Sequence, residues 1–143
     1  MTKIVLDASV AIKWFFEEEN QKEAFDILHG IRKNKIEAFV PEFFYTECAN
    51  VLWNKSKKKM CSFERAQESL ADLYKLPLKR HAHEDLSDVA LDNAAIHNIS
   101  VYDATYVSLG EIYPARVVTA DKALLRACNA RFPFIEHLKD FKI

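Results

Sequence analysis

Glycine is scarce in this sequence: there are two among 143 residues, Gly30 and Gly110. That excludes a G-x-G-x-x-G dinucleotide turn and a phosphate-cradling P-loop, both of which need several glycines at fixed offsets, so no nucleotide cofactor is expected. Each glycine follows a stretch of helical periodicity, where the ordinary use is a left-handed helix C-cap. Cysteine is scarce as well. Cys48, Cys61 and Cys128 are odd in number, widely spaced and without any C-x-x-C, which supports neither a disulfide framework nor a zinc site and implies idle thiols in a reducing cytoplasm. No run approaches 18 apolar residues, and the opening MTKIVLDASV reaches Asp7 before a signal-like region forms. Neither a membrane span nor export is therefore expected. Net charge is lacking too: 20 Lys and Arg against 21 Asp and Glu give -1, so attraction to a polyanion has to come from local clusters.

What is present is a globular composition. Half of the residues are hydrophobic, 29% are charged and 12% are aromatic, which excludes a disordered or fibrous chain and suits a single domain over residues 1–143. A short apolar run, Ile4 to Leu6, ends at Asp7 and is followed by a helix from Ser9 to Phe16, capped by Asp7 or Ser9. Helical spacing from Ala24 leads to Gly30, and Ala38 to Val40 is an extended run that Pro41 stops. A long helix is expected from Glu42 to about Met60, and a second from Phe63 to Tyr74 behind a Ser62 cap. Leu76 to Leu78 reads as a short strand, Leu86 to His97 as a helix, and Ile99 to Tyr102 as a brief strand or connection. A helix opening at Asp103 runs to Gly110. Arg116 to Thr119 is a β-branched strand, Lys122 to Ala130 a helix and Phe134-Ile135 a last strand. This β-α alternation predicts an α/β fold with a parallel sheet covered by helices.

In such sheets ligands sit at the carboxyl ends of the strands, where Asp7 and Asp121 are expected, with Asp103 opening a helix at the same edge. An aspartate at a strand-to-helix junction is most often an N-cap, which explains any one of them without function. Glu47 lies inside the long helix, where a cap does not account for it. It heads a stripe, Glu47, Asn50, Asn54, Lys57 and Lys58, at spacings of three or four, hence on one helix face about 16 Å long. That face suits a strand of nucleic acid; the same lysines equally complement a helix C-terminus. If the four acids meet, each pair repels by up to about 4 kcal/mol at an effective dielectric of 20. Relief requires protonation or a hard cation such as Mg²⁺, which accepts carboxylate, water and phosphate oxygens.

Four blocks carry a family resemblance: VLDASVAIKWF with Asp7 and Ser9; PEFFYTECANVLW with Pro41, Glu47, Asn50 and Leu52; YDATYVSLG with Asp103; and VVTADKALL with Thr119 and Asp121. Over nearly its whole length the chain resembles the PIN-domain ribonucleases, specifically the VapC toxins of toxin–antitoxin modules. The resemblance implies a three-layer α/β/α fold around a parallel sheet of four to five strands, and Mg²⁺- or Mn²⁺-dependent RNA cleavage. It also implies a metal site of Asp7, Glu47, Asp103 and Asp121 supported by Ser9, Asn50 and Thr119, a homodimer, and a VapB-type antitoxin partner.

Competing readings rest on weaker patterns. His81-Ala82-His83-Glu84-Asp85 begins like the H-x-H-x-D zinc motif of metallo-β-lactamase-like hydrolases, but Leu86 stands where the next histidine belongs. A solvated turn is expected there, with Lys79, Arg80 and His81 facing phosphates. Trp14, Phe15 and Phe16 are expected in the core rather than as a base-stacking platform. A receiver-like phosphoacceptor needs an acidic pair after the first strand and a lysine after the last; Asp7 is followed by Ala8 and Ser9, and Lys122 follows another aspartate. A PIN-like fold kept as a binding module, with a partner's arginine in the acidic pocket, is the other alternative.

Overall fold

The computed structural model describes residues 1–143. Five strands, β1 (Thr2–Leu6), β2 (Ile36–Pro41), β3 (Lys79–His81), β4 (Arg116–Thr119) and β5 (Ile135–His137), form one sheet in the order β3-β2-β1-β4-β5. Every neighbouring pair is parallel, with Val5 opposite both Phe39 and Val117 at the centre. The helices are α1 (Ala8–Ala11), α2 (Gln21–Arg32), α3 (Phe43–Lys57), α4 (Phe63–Tyr74), α5 (Ser87–His97), α6 (Val101–Ile112) and α7 (Lys122–Cys128).

Strand residues alternate between two cores, as the pleat requires. Ile4, Leu6, Ala38 and Val40 pack with residues of α2, α3 and α4 on one face, while Val5, Phe39 and Val117 pack with α6 and α7 on the other. The result is the expected three-layer α/β/α architecture. The chain lays down β2 and β3 on one side of β1 and then crosses to place β4 on the other. The direction therefore reverses beside β1, which opens a crevice at the carboxyl ends of β1 and β4.

Several local expectations are corrected. Gly30 and Gly110 lie inside α2 and α6, not at their C-caps. A Cβ at Gly30 would stand 2.5 Å from the Ile36 side chain, and one at Gly110 would stand 2.9 Å from Phe134 and Val117. Both glycines thus serve close helix-to-strand packing. The left-handed turns after α2 and α5 are taken instead by Asn34 and Asn98, with φ of 57° and 54°, a conformation asparagine tolerates. The third strand is Lys79–His81 rather than Leu76 to Leu78. Leu78 is buried as a packing residue, and the edge strand itself carries charge, which blunts its unpaired side. Ser100, not Asp103, caps α6: its hydroxyl accepts the Asp103 amide at 3.0 Å. The Ser62 cap on α4 is as expected.

Candidate active site

Asp7 occupies the N-cap position of α1 without capping it. Its carboxylate turns into the crevice, where Ser9 Oγ donates to one oxygen at 2.6 Å and Thr119 Oγ1 to the other at 2.7 Å. Both hydroxyls are themselves anchored, because Ser9 Oγ accepts the Ala120 amide and Thr119 Oγ1 accepts the Asp121 amide, each at 2.9 Å. This lattice stitches the end of β1 to the end of β4. Asp7 is only 5% exposed. Burial raises its pKa from the ordinary 3.8 to about 6 against the pull of the two hydroxyl donors, and the charges of Glu47 and Asp121 add to the rise.

Asp121 begins α7 and does cap it, one oxygen accepting the amides of Ala123 and Leu124 at 2.9 and 3.3 Å. Glu47 projects from the middle of α3. Much of its side chain is exposed, yet one carboxylate oxygen accepts the hydroxyl of Tyr106 from α6. The bond crosses the top of the sheet and ties its two helical layers together. Burial of the carboxyl group raises the Glu47 pKa; the Tyr106 bond opposes the rise, while Asp121 and Asp103 add to it. Asp103, in the first turn of α6, is raised by burial as well, with its Ser100 contact lowering and Asp121 raising its pKa. The charge of Asp121 thus raises the pKa of Asp7, Glu47 and Asp103, and the charge of Glu47 adds to the rise at Asp7.

A hollow of about 230 Å³ is lined by Asp7, Ala8, Ser9, Glu47, Asn50, Val51 and Asp121. Asp103 does not line it, although its charge reaches Glu47. No three histidine, cysteine or acidic side chains are gathered into a ready-made ion cluster; Mg²⁺ binds through as few as one or two carboxylates and keeps several waters. The donors are oxygens throughout, and three of the four acids carry pKa values raised partly by like charge, which a divalent cation would relieve. The residues present fit a hard cation.

The remaining expected residues are spread more widely. Asn54, Lys57 and Lys58 continue along α3 beyond Asn50, with Lys57 over the Trp53 ring at 5.4 Å. Arg80 lies on edge strand β3, its guanidinium stacked on Tyr45 and Tyr74 and its Nε donating to the Tyr45 hydroxyl at 3.2 Å. His81 contacts the Tyr113 hydroxyl at 3.0 Å and His83 stacks on Phe43. The two histidines are thus engaged separately. Trp14 is a core residue whose indole N–H donates to the Ala24 carbonyl at 2.8 Å. Cys48 and Cys128 are buried thiols with pKa values raised by burial, which leaves them unreactive. Tyr106 was not anticipated from sequence. Its spacing of three from Asp103 places both on one helix face and is the signal that points to it.

A profile of the PIN domain family matches residues 4–130. Ribonuclease VapC3 of Pyrobaculum aerophilum is 27% identical over 124 residues, spanning 85% of this chain and 92% of the relative. A crystal structure of another Pyrobaculum aerophilum protein superposes with a TM-score of 0.68 at 19% identity, covering 96% of this chain and 85% of its own. VapBC2 from Rickettsia felis, solved with a DNA fragment from its promoter, superposes with a TM-score of 0.63 at 16% identity, covering 95% of this chain and 98% of its own. These structural likenesses concern the fold, and the fold they share is the one built above from β1 outward. With a family profile matched over most of its length, the chain belongs to the PIN domain family.

Proposed function

We propose that this protein is a metal-dependent endoribonuclease and the toxin of a toxin–antitoxin pair. The observation that carries the reading is a hollow at the carboxyl edge of the sheet lined by Asp7, Glu47 and Asp121 from three distant segments, with the charge of Asp103 reaching Glu47. The names of the relatives support the activity and the partner: one is a VapC ribonuclease, and one solved neighbour is a VapBC assembly.

In this reading Mg²⁺ or Mn²⁺, when bound, lowers the pKa of a water and offsets charge building on the phosphodiester transition state. The chain's own residues prepare the place. Ser9 and Thr119 hold both oxygens of Asp7 in a fixed orientation, and each oxygen keeps a further lone pair for the ion or its waters. Asp121 is held by two backbone amides through one oxygen, leaving the other to the hollow. Tyr106 fixes Glu47 through one oxygen in the same manner. Asn50 lines the hollow and suits a water or a phosphate oxygen. Asn54, Lys57 and Lys58 along α3, with Arg80 from the sheet edge, take the RNA backbone on that side.

A VapB-type antitoxin and a second copy of the chain are the proposed protein partners; Leu91, Ile96 and Tyr102 are 60–74% exposed on α5 and α6, apolar surface that suits a protein contact. No helix is long and apolar enough to cross a membrane, and with three free cysteines the proposed site of action is the cytoplasm. Purified protein should cleave single-stranded or structured RNA with Mg²⁺ or Mn²⁺ and stop on chelation. Cleavage that persists in chelator contradicts the metal mechanism.

A further inference from the structure

RNA approaching four carboxylates is repelled unless cations nearby hold it. On the α3 side Lys55 is already engaged by Glu18 at 2.9 Å, a carboxylate it shares with Lys13, and Lys58 lies roughly 16 Å along the helix from Glu47. On the other side of the hollow a second groove, of about 430 Å³, is lined by Lys13, Lys122, Arg126, His137 and Lys139. Its acids are Glu19 and Asp140, and Glu18 pairs with Lys13 at 3.3 Å, so cations outnumber anions. The groove sits over the carboxyl ends of β4 and β5. Ala120 lines the groove and Asp121, the next residue, lines the hollow, so the two adjoin along the chain just after β4.

The groove also presents a neutral donor. The Lys139 amide donates to His137 Nδ1 at 3.0 Å, which leaves the proton of the neutral imidazole on Nε2. Burial lowers the His137 pKa, and the charges of Lys139, Lys122 and Lys13 lower it further while Asp140 opposes them. Lys13, Lys122 and Lys139 line the same groove as this ring.

We propose that this groove binds the RNA backbone beside the cleaved phosphodiester, with Lys122, Arg126 and Lys139 contacting phosphate oxygens and His137 donating to one from Nε2. The inference rests on the ribonuclease reading and adds the path of the strand: from the acidic hollow over Ala120 into the basic groove. Its counter-reading is a docking site for an acidic peptide.

The test measures binding of a labelled single-stranded RNA by fluorescence anisotropy, with Ca²⁺ in place of Mg²⁺, across a salt series. Lys122→Ala/Arg126→Ala should weaken binding and lower the slope of log K against log salt by about 1.4, the expectation for two lost phosphate contacts on a single strand. Lys122→Arg/Arg126→Lys should keep the slope. Lys33→Ala/Lys35→Ala, which removes the same charge from exposed lysines between α2 and β2, should keep it too. A slope unchanged in the Lys122/Arg126 variant while wild type binds RNA overturns the groove alone. Wild-type protein that binds no RNA even at low salt overturns the ribonuclease reading with it. A labelled polyglutamate peptide held through the same residues, with RNA binding unaffected by their loss, assigns the groove to a protein partner and overturns the proposal.

Discussion

Two strand-to-helix junctions of this protein carry an aspartate at the same position, and they use it in opposite ways. After β4, Asp121 is exposed and spends one oxygen on the amides that open α7. After β1, Asp7 is buried, ignores the amides of α1 and receives two side-chain hydroxyls instead. The first arrangement stabilises a helix. The second leaves a carboxylate with little water around it, which costs stability unless something positive arrives. An N-cap position is therefore not a role. What decides is whether the carboxylate meets its own helix or turns across the sheet edge.

The largest expected effect follows from that contrast. A folded-state pKa of about 6 against an ordinary 3.8 makes ionised Asp7 a cost of about 3 kcal/mol. Because the pKa is raised on folding, the stability is fully present below about pH 4, declines between pH 4 and 6, and is lost above. Asp7→Asn should remove this loss, so the variant should match wild type near pH 4 and exceed it by up to about 3 kcal/mol at pH 7 in chelator, by denaturant unfolding, with RNA cleavage abolished. A variant less stable than wild type at pH 7 breaks the contrast. Asp121→Ala should lose about 1 kcal/mol for the missing cap, whereas Asp121→Asn should stay within a few tenths, since asparagine caps as well. Both should abolish cleavage. Equal stability losses for alanine and asparagine would remove capping from the account. Tyr106→Phe should weaken Mn²⁺ binding by about tenfold, in the range expected for loss of a hydrogen bond that orients a metal-binding side chain. In an E47Q background it should change nothing, which a double-mutant cycle of calorimetric titrations checks. The smallest effect is expected from Lys57→Ala/Lys58→Ala, which should lower the salt slope of RNA binding by less than the Lys122 and Arg126 pair.

The sheet and its helices were largely legible because β-branched runs bounded by Pro41 and Asp121, and apolar residues at helical spacing, report burial directly. The two glycines misled because a glycine demanded by close packing against Ile36 or Val117 reads the same in sequence as one demanded by a left-handed turn. Strand β3 was misplaced because a charged edge strand pairs on one side only, so Leu76 to Leu78 outweighs Lys79–His81 in hydropathy. In the site, the acids could be named but their environments could not. Whether Asp7 caps α1 or faces Ser9 and Thr119 depends on a contact 112 positions away in sequence, and the Tyr106–Glu47 bond joins two helices on opposite faces of the sheet. Neither leaves a periodic trace.

The proposed cation site, with Asp7, Glu47 and Asp121 lining one hollow and Asp103 beside it, is open to calorimetric titration with Mn²⁺. Wild-type protein should show saturable binding that Asp7→Asn and Asp121→Asn each weaken severely while both variants remain folded. Wild-type protein that takes up no Mn²⁺, or uptake that survives both substitutions, would contradict it.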